Sequence, residues 1–187
     1  MATAPFTVPA PLFGMATPCR RGYTLLFIGS WHDANVIAVH YFIRGILPLI
    51  RETMPGVEVL IAGRVCEKMD DASGCTRLGE VQDLDGLYEQ TDVVINPVMV
   101  GTGLKIKNLK ALGRGKPLAT TPVGAEGMED GIGQAFLVSD TSDTFATQVV
   151  ELLQAERKAG AFSEGALRFA QSYNQRVMQG FLSRFIV

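Results

Sequence analysis

The feature that most constrains this chain is an alternation. A short apolar run stops at or beside a glycine, proline or serine, a stretch of helical period follows, and then another apolar run begins. The runs are residues 23–29 (YTLLFIG), 57–63 (VEVLIAG), 76–78 (TRL), 92–97 (DVVINP), 117–121 (PLATT) and 135–139 (AFLVS). Most are apolar throughout and do not alternate with polar residues, which marks strands covered on both faces and therefore a parallel sheet. Strands separated by helices close into right-handed crossover units. The expected fold is α/β, a Rossmann-like doubly wound parallel sheet of about six strands. Ligands of such sheets bind at the carboxyl ends of the strands, near the point where the strand order reverses. That edge would carry Gly29-Ser30, Gly63-Arg64, 97–103 and 122–127.

The connecting segments read as helices. Residues 35–53 take Asn35 as N-cap and Val36, Val39, Ile43, Ile46 or Leu47, and Ile50 as the core face, with a kink where Gly45 precedes Pro48. A loop is expected over 64–74, and a short helix over 83–90 with Asp83 near its cap. A helix spans 104–113, and the glycine-bracketed 124–128 is a turn with a short helical start. Asp140 is expected to cap an amphipathic helix to about residue 157, with Phe145, Val149, Leu152 and Leu153 on one face. A last helical region runs from about 163 to 184. Prolines interrupt residues 1–22, and Arg20-Arg21 follows the apolar part, unlike a signal peptide. That segment is read as a tail or linker and 23–187 as the domain, with its C-terminal helices at about 163–187.

Composition narrows the classes. The chain has 187 residues, 47% of them hydrophobic and 19% charged, enough for one full core. A net charge of −2 gives no global attraction to nucleic acid, so none is expected as a partner. Three cysteines, Cys19, Cys66 and Cys75, form an odd set with no neighbouring histidine, which points to reduced thiols in a cytoplasmic protein and to no metal site. No apolar run approaches the roughly 20 residues of a transmembrane segment.

One stretch carries chemistry: GTGLKIKNLKALGRGKPLATTPVGAEG, residues 101–127. Gly101 and Gly103 let backbone approach a ligand closely. The start of the following helix offers free N–H groups and a positive dipole end. Lys105, Lys107, Lys110, Arg114 and Lys116 crowd the same segment. Lysine in a first helical turn is electrostatically unfavourable unless an anion binds there. A solvated helix face explains the same charges more plainly, but their place at the strand carboxyl edge favours an anion site, with a phosphate-bearing ligand of open type. On a helix, 107, 110 and 114 share a stripe and 105 lies elsewhere. There is no G-x-G-x-x-G, no P-loop and no G-x-S-x-G.

This segment resembles the C-terminal half of group-1, GT4-like glycosyltransferases of the two-lobed GT-B fold. Members commonly carry G-T-G-(L/I)-K-x-K-x-L-E-A-L-x-x-G-K-P-V-V-x-T-x-x-G-A-E-G. LLFIGSWHDANVIAV is similar to the family's opening strand, loop and helix. GEVQDLDGLYEQTDVVINPV resembles G-x-V-x-D-L-x-x-L-Y-x-x-A-D-V-x-x-x-P. The resemblance covers about residues 23–153. It implies the donor-binding lobe of a glycosyltransferase, with a nucleoside-diphosphate sugar as donor substrate, no metal and no other cofactor. Gly29 and Ser30 would border the donor, and Gly101, Thr102, Gly103 and Leu104 would supply backbone contacts. Lys105 and Lys107 would meet the diphosphate, and Gly124, Ala125 and Glu126 would border the sugar or diphosphate. The base would sit near Gly63-Arg64 and Leu78-Gly79. No catalytic residue is assigned.

Two departures stand out. The family has Glu at the position of Lys110, where it bonds the ribose hydroxyls, and Lys offers no acceptor. The loop after the first strand often carries Arg and a later Lys, where this chain has Ser30 and about Asn35. A non-catalytic binding domain with a degenerate donor site is therefore the alternative, and an epimerase or phosphorylase of the same architecture is a weaker third. The family enzyme also needs an N-terminal acceptor lobe, so the resemblance implies a missing lobe or partner subunit and an exposed interlobe face that predicts self-association. A cytoplasmic location is expected, peripheral to the inner face of a membrane if the acceptor is lipid-linked. Trp31 either lines the cleft or covers the sheet edge, and His32 and His40 read as an exposed turn residue and a structural one.

Overall fold

The computed structural model describes residues 6–9, 23–69 and 74–183. Cys19, most of the expected tail, part of the 64–74 loop and Arg184 lie outside the described residues. Each of the expected apolar runs forms a strand: β1 (Thr24–Ile28), β2 (Glu58–Ala62), β3 (Thr76–Gly79), β4 (Val93–Asn96), β5 (Leu118–Thr120) and β6 (Leu137–Val138). They build one 6-stranded sheet in the order β3-β2-β1-β4-β5-β6, and every pairing is parallel. The order reverses between β1 and β4, which puts a crevice at the carboxyl ends of those two strands.

Alternation along the strands feeds two cores. Leu25, Phe27, Val59, Ile61, Val93 and Ile95 belong to one face, under the helices that follow β1 and β6. Leu26, Leu60, Ala62 and Val94 belong to the other, with Leu109, Leu112, Phe136 and Phe169. The first face is covered by α1 (Asp33–Tyr41), a π-helical turn (Phe42–Ile46), α2 (Leu47–Thr53) and α6 (Ser142–Gln154). The second is covered by α3 (Leu84–Glu89), α4 (Ile106–Leu112) and α7 (Glu156–Leu182), and α5 (Pro122–Ala125) follows β5.

The expected kink at Pro48 takes the form of that π turn. Proline has no N–H to donate to the carbonyl four residues back, and the turn just before it closes through Leu47 N–H to Phe42 O instead. Asn35 is not the N-cap. The helix begins two residues earlier, with His32 in the cap position and without a side-chain cap bond, which frees the Asn35 amide for other bonds. The helix over Asp33–Thr53 is long and apolar enough to cross a membrane by length and composition, although the sequence shows no unbroken apolar run. Its Ala38, Val39, Phe42, Ile46, Leu47 and Ile50 are buried in the first core.

At the C-terminal end the helix boundaries differ from expectation. Thr141, not Asp140, caps α6 by accepting from Thr144 N–H. A single non-helical residue, Ala155, separates α6 from α7, which then runs 27 residues. The last helix is expected from about 163, yet α7 begins at Glu156 and takes in Gly160 as well as Gly165. Gly165 is there for closeness: a Cβ would meet Gln134 O at 1.9 Å. Residues 6–9 lie against the same helix. Val8 is buried, and its N–H and C=O bond the Asn174 amide at 2.8 and 2.7 Å.

Candidate functional site

The β1–β4 crevice gathers most of the expected site residues. On the β1 side, Gly29 N–H donates to Ala62 O (3.0 Å) and Gly29 O accepts from Val65 N–H (3.1 Å), which ties the loop to β2. A larger residue at 29 would force a neighbour to shift, because a Cβ would lie 2.8 Å from Phe27 Cε1. Next to it, the Asn35 amide nitrogen donates to Ser30 O (3.0 Å) and Ser30 Oγ (3.1 Å). This leaves Asn35 Oδ1 as an acceptor, and Lys107 Nζ donates to it at 2.7 Å. The same amine stands 4.3 Å from the centre of the Phe27 ring.

Lys107 is therefore held by a neutral amide and an aromatic face, with no carboxylate among those contacts. Burial pushes its ammonium down to about 7, and the neighbouring positive charge of Lys105 adds to the shift. A half-buried lysine without a carboxylate partner, beside a second lysine at the start of the same helix, is the kind of perturbed group that marks functional positions.

On the β4 side, Gly101 (φ 113°) and Gly103 (φ 78°) occupy backbone conformations that only glycine adopts readily, and both are exposed with open space beside them. Gly103 N–H donates to Glu126 Oε2 at 2.7 Å, and Lys105 Nζ lies 3.5 Å from the same oxygen. Lys105 also donates to Gly103 O. The helix starts later than expected, so Lys105 occupies the N-cap position of α4 without a side-chain cap, and the first turn holds no acidic residue. Thr102 is exposed on this loop, and Leu104 is half-buried against the second core.

A buried ladder fixes the spacing of the two glycine loops. Asn96, the last residue of β4, donates from Nδ2 to Asn108 Oδ1 (2.9 Å), and Asn108 Nδ2 donates to Gly124 O (2.8 Å). Gly124 O can only accept, so it sets the orientation of both amides. Among the described residues Asn96 Oδ1 is left as a buried acceptor without a partner. Thr120 Oγ1 donates to Asn96 O (2.8 Å), and Gly124 N–H donates to Thr121 Oγ1 (3.1 Å). A Cβ at Gly124 would lie 1.9 Å from Thr120 Oγ1. Ala125 is buried beside it, and Glu126 follows at the rim. The signal in the sequence for Asn96 is the polar residue that closes the apolar run DVVIN.

The expected basic cluster does not stay together. Arg114 bonds Asp85 of α3 (2.7 Å) and stacks 4.4 Å from the Tyr88 ring centre. Lys116 is buried, and its Nζ donates to Thr91 O at 2.8 Å. Lys110 lies mid-helix and, among the described residues, bonds neither Asn35 nor Glu126. Of the cluster, Lys105 and Lys107 carry the side-chain bonds to crevice residues, to Glu126 and Asn35. Trp31 sits at its outer rim, 52% exposed, with Arg64 (4.8 Å) and Lys68 (5.2 Å) over its ring. A separate groove of about 450 Å3 runs beneath α3, lined by Thr24, Glu58, Leu60, Thr76, Leu78 and Asp83. It contains none of the crevice's lysines.

Residues 22–155 match the family described as glycosyl transferases group 1, and the chain belongs to that family. A protein of Klebsiella pneumoniae, described as an uncharacterized 44.6 kDa protein in the cps region, is 22% identical over 139 residues, 67% of this chain and 36% of that protein. Among solved structures, Anabaena HepE in complex with UDP and glucose aligns with a TM-score of 0.70 at 13% identity, covering 95% of this chain and 55% of that one. A glycosyltransferase from Rickettsia africae aligns at 0.73 and 12%, covering 96% and 55%. The pneumococcal O-GlcNAc transferase GtfA in complex with UDP and GlcNAc aligns at 0.65 and 15%, covering 96% and 39%. The fold is that of one lobe of a GT-B glycosyltransferase, and the chain spans about half or less of each relative's length.

Proposed function

We propose that this chain is the donor-binding lobe of a glycosyltransferase that transfers a sugar from a nucleoside-diphosphate sugar to an acceptor held by a second lobe or subunit. The observation that carries the reading is the half-buried, carboxylate-free Lys107 beside Lys105 at the switch point of the sheet. Membership of the family and the nucleotide complexes of the Anabaena and pneumococcal proteins support it, and they favour UDP as the nucleoside diphosphate.

In this role the domain works by electrostatics. As the bond between sugar and diphosphate breaks, negative charge grows on the departing diphosphate. Lys107, oriented by Asn35, and the open backbone of 101–103 would receive that charge. Groups fixed before the reaction stabilise it without reorganising. No side chain is assigned as catalytic base.

Calorimetric titration of the chain with UDP, GDP and ADP, at low salt and without metal, tests the reading. Saturable binding of one of them, lost in Lys107→Met and weakened in Lys105→Ala, is the expected result. No heat from any of them at millimolar concentration would overturn a free-standing donor site.

A second reading, a binding domain whose donor site has degenerated, is favoured by one observation: Lys110 stands where the resemblance places a ribose-binding Glu. Lys110→Glu separates the two. A large gain in nucleotide affinity supports degeneration, and a loss supports a working lysine.

A further inference from the structure

The donor reading leaves one contact unexplained. Gly103 N–H and Lys105 Nζ converge on a single carboxylate oxygen of Glu126, at 2.7 and 3.5 Å. These are two of the donors that a diphosphate would need. Gly103 is at φ 78°, with nothing within 4 Å of where a Cβ would stand. Gly103 is exposed, so the Glu126 contact lies on a face of the loop that a ligand can approach. The anion there now belongs to the protein.

We propose that Glu126 is a resident counter-anion. In the ligand-free domain its carboxylate occupies the place of one phosphate oxygen, and it swings aside when a nucleoside diphosphate binds. This rests on the donor reading and adds a specificity device to it.

The local geometry suits such a movement. Glu126 is the residue after α5, at φ −50° and ψ 124°, so no helical turn packs its side chain in place. Its side chain is 46% exposed, whereas Lys105 is 12% exposed. The cation is thus the fixed partner and the carboxylate the movable one. The backbone just beyond is anchored separately, because Gly127 N–H donates to Glu129 Oε1 at 2.9 Å. Rotation of the Glu126 side chain alone vacates the position.

Charge sets what can displace it. A charge-assisted bond to a backbone N–H and a lysine is lost when the carboxylate leaves. A singly charged ligand regains about what it displaces and gains little. A diphosphate brings more charge and also reaches Lys107, so it gains on exchange. Glu126 thus acts as a filter that favours ligands of higher charge, in addition to any later contact with the sugar.

The test is calorimetric titration of the whole chain and two variants with UDP, and with UMP as the ligand of lower charge. Glu126→Gln keeps the shape and removes the charge. Glu126→Asp keeps the charge but is one methylene too short to reach Gly103. Glu126→Gln is expected to bind UDP about tenfold more tightly than wild type and to gain at least as much for UMP, which compresses the preference between them. Glu126→Asp should gain most of the same increase, because the occupying contact is broken. Unchanged or weaker UDP binding in Glu126→Gln, with wild type still binding, overturns the resident-anion role and leaves the donor site standing. A gain in Glu126→Gln with none in Glu126→Asp shows only long-range repulsion and also overturns it. No UDP binding by wild type or either variant overturns this inference and the donor reading together.

Discussion

The two ends of α4 carry the same kind of side chain and use it in opposite ways. Beyond the carboxyl end, Arg114 meets the carboxylate of Asp85 and the face of Tyr88, and Lys116 is buried against Thr91 O. Each cation there has a strong acceptor and a structural task. At the amino end, Lys107 has an amide oxygen, a phenyl face and another lysine nearby. The sequence places all of them in one basic segment. What distinguishes them is what the sheet brings opposite: α3 at one end, the reversal of strand order at the other. What marks the site, more than charge density, is a Lys107 ammonium that meets no carboxylate among these contacts.

The largest expected effect breaks the amino end. Lys107→Met removes the half-buried cation and should weaken UDP binding by about a hundredfold, as loss of a buried charged partner does. The variant should also stay folded, because the charge it removes is disfavoured by burial. That can be checked by calorimetry beside a thermal melt.

The next effect concerns pH. The Lys107 ammonium titrates near 7 in the folded, ligand-free chain against an ordinary 10.5. A diphosphate binds only the charged form, so UDP affinity should fall about fiftyfold between pH 7 and 9, with proton uptake on binding. Stability runs the other way. In the window from about 7 to 10.5 the unfolded chain holds the proton that the folded chain has lost, so folding stability should rise with pH there. The rise should be absent in Lys107→Met.

A smaller effect sharpens the contrast at the other end. Arg114→Ala loses an ion pair and a cation–aromatic contact, worth about 1 kcal/mol together, and should lower Tm by about 2–4 °C. UDP affinity should change less than about twofold, because Arg114 faces α3. A large loss of binding would erase the distinction between the two ends. The smallest effect belongs to Lys110→Glu. Lys110 bonds neither crevice chain among the described residues, so a loss of about threefold or less is expected, from field alone. A tenfold gain would favour the degenerate-site reading.

Much of the fold is legible in the sequence because the strands announce themselves. Runs such as LLFI and VLIA leave no polar face, so they can only be buried parallel strands, and glycine or proline closes most of them. The helix boundaries are less legible because tertiary contacts decide them. The last helix starts at Glu156, ahead of the expected 163, with Gly165 packed against Gln134, and Asn35 looks like a cap and is a bridge between Ser30 and Lys107. Glycines at 101, 103 and 124 and lysines at 105 and 107 can be picked out by type and spacing. The Asn96–Asn108–Gly124 ladder cannot, because it depends on which strand end faces which helix. Splitting the basic segment into two ends requires the same knowledge.

The most direct test is to follow the side chain of Lys107 itself by heteronuclear NMR across pH 5 to 11, with and without saturating UDP, and to assign its signal through Lys107→Met. A titration near 7 in the free chain, moving upward by two units or more when UDP binds, is the expected result. A lysine that titrates near 10 in both states would contradict the poised, carboxylate-free amine on which the donor site rests.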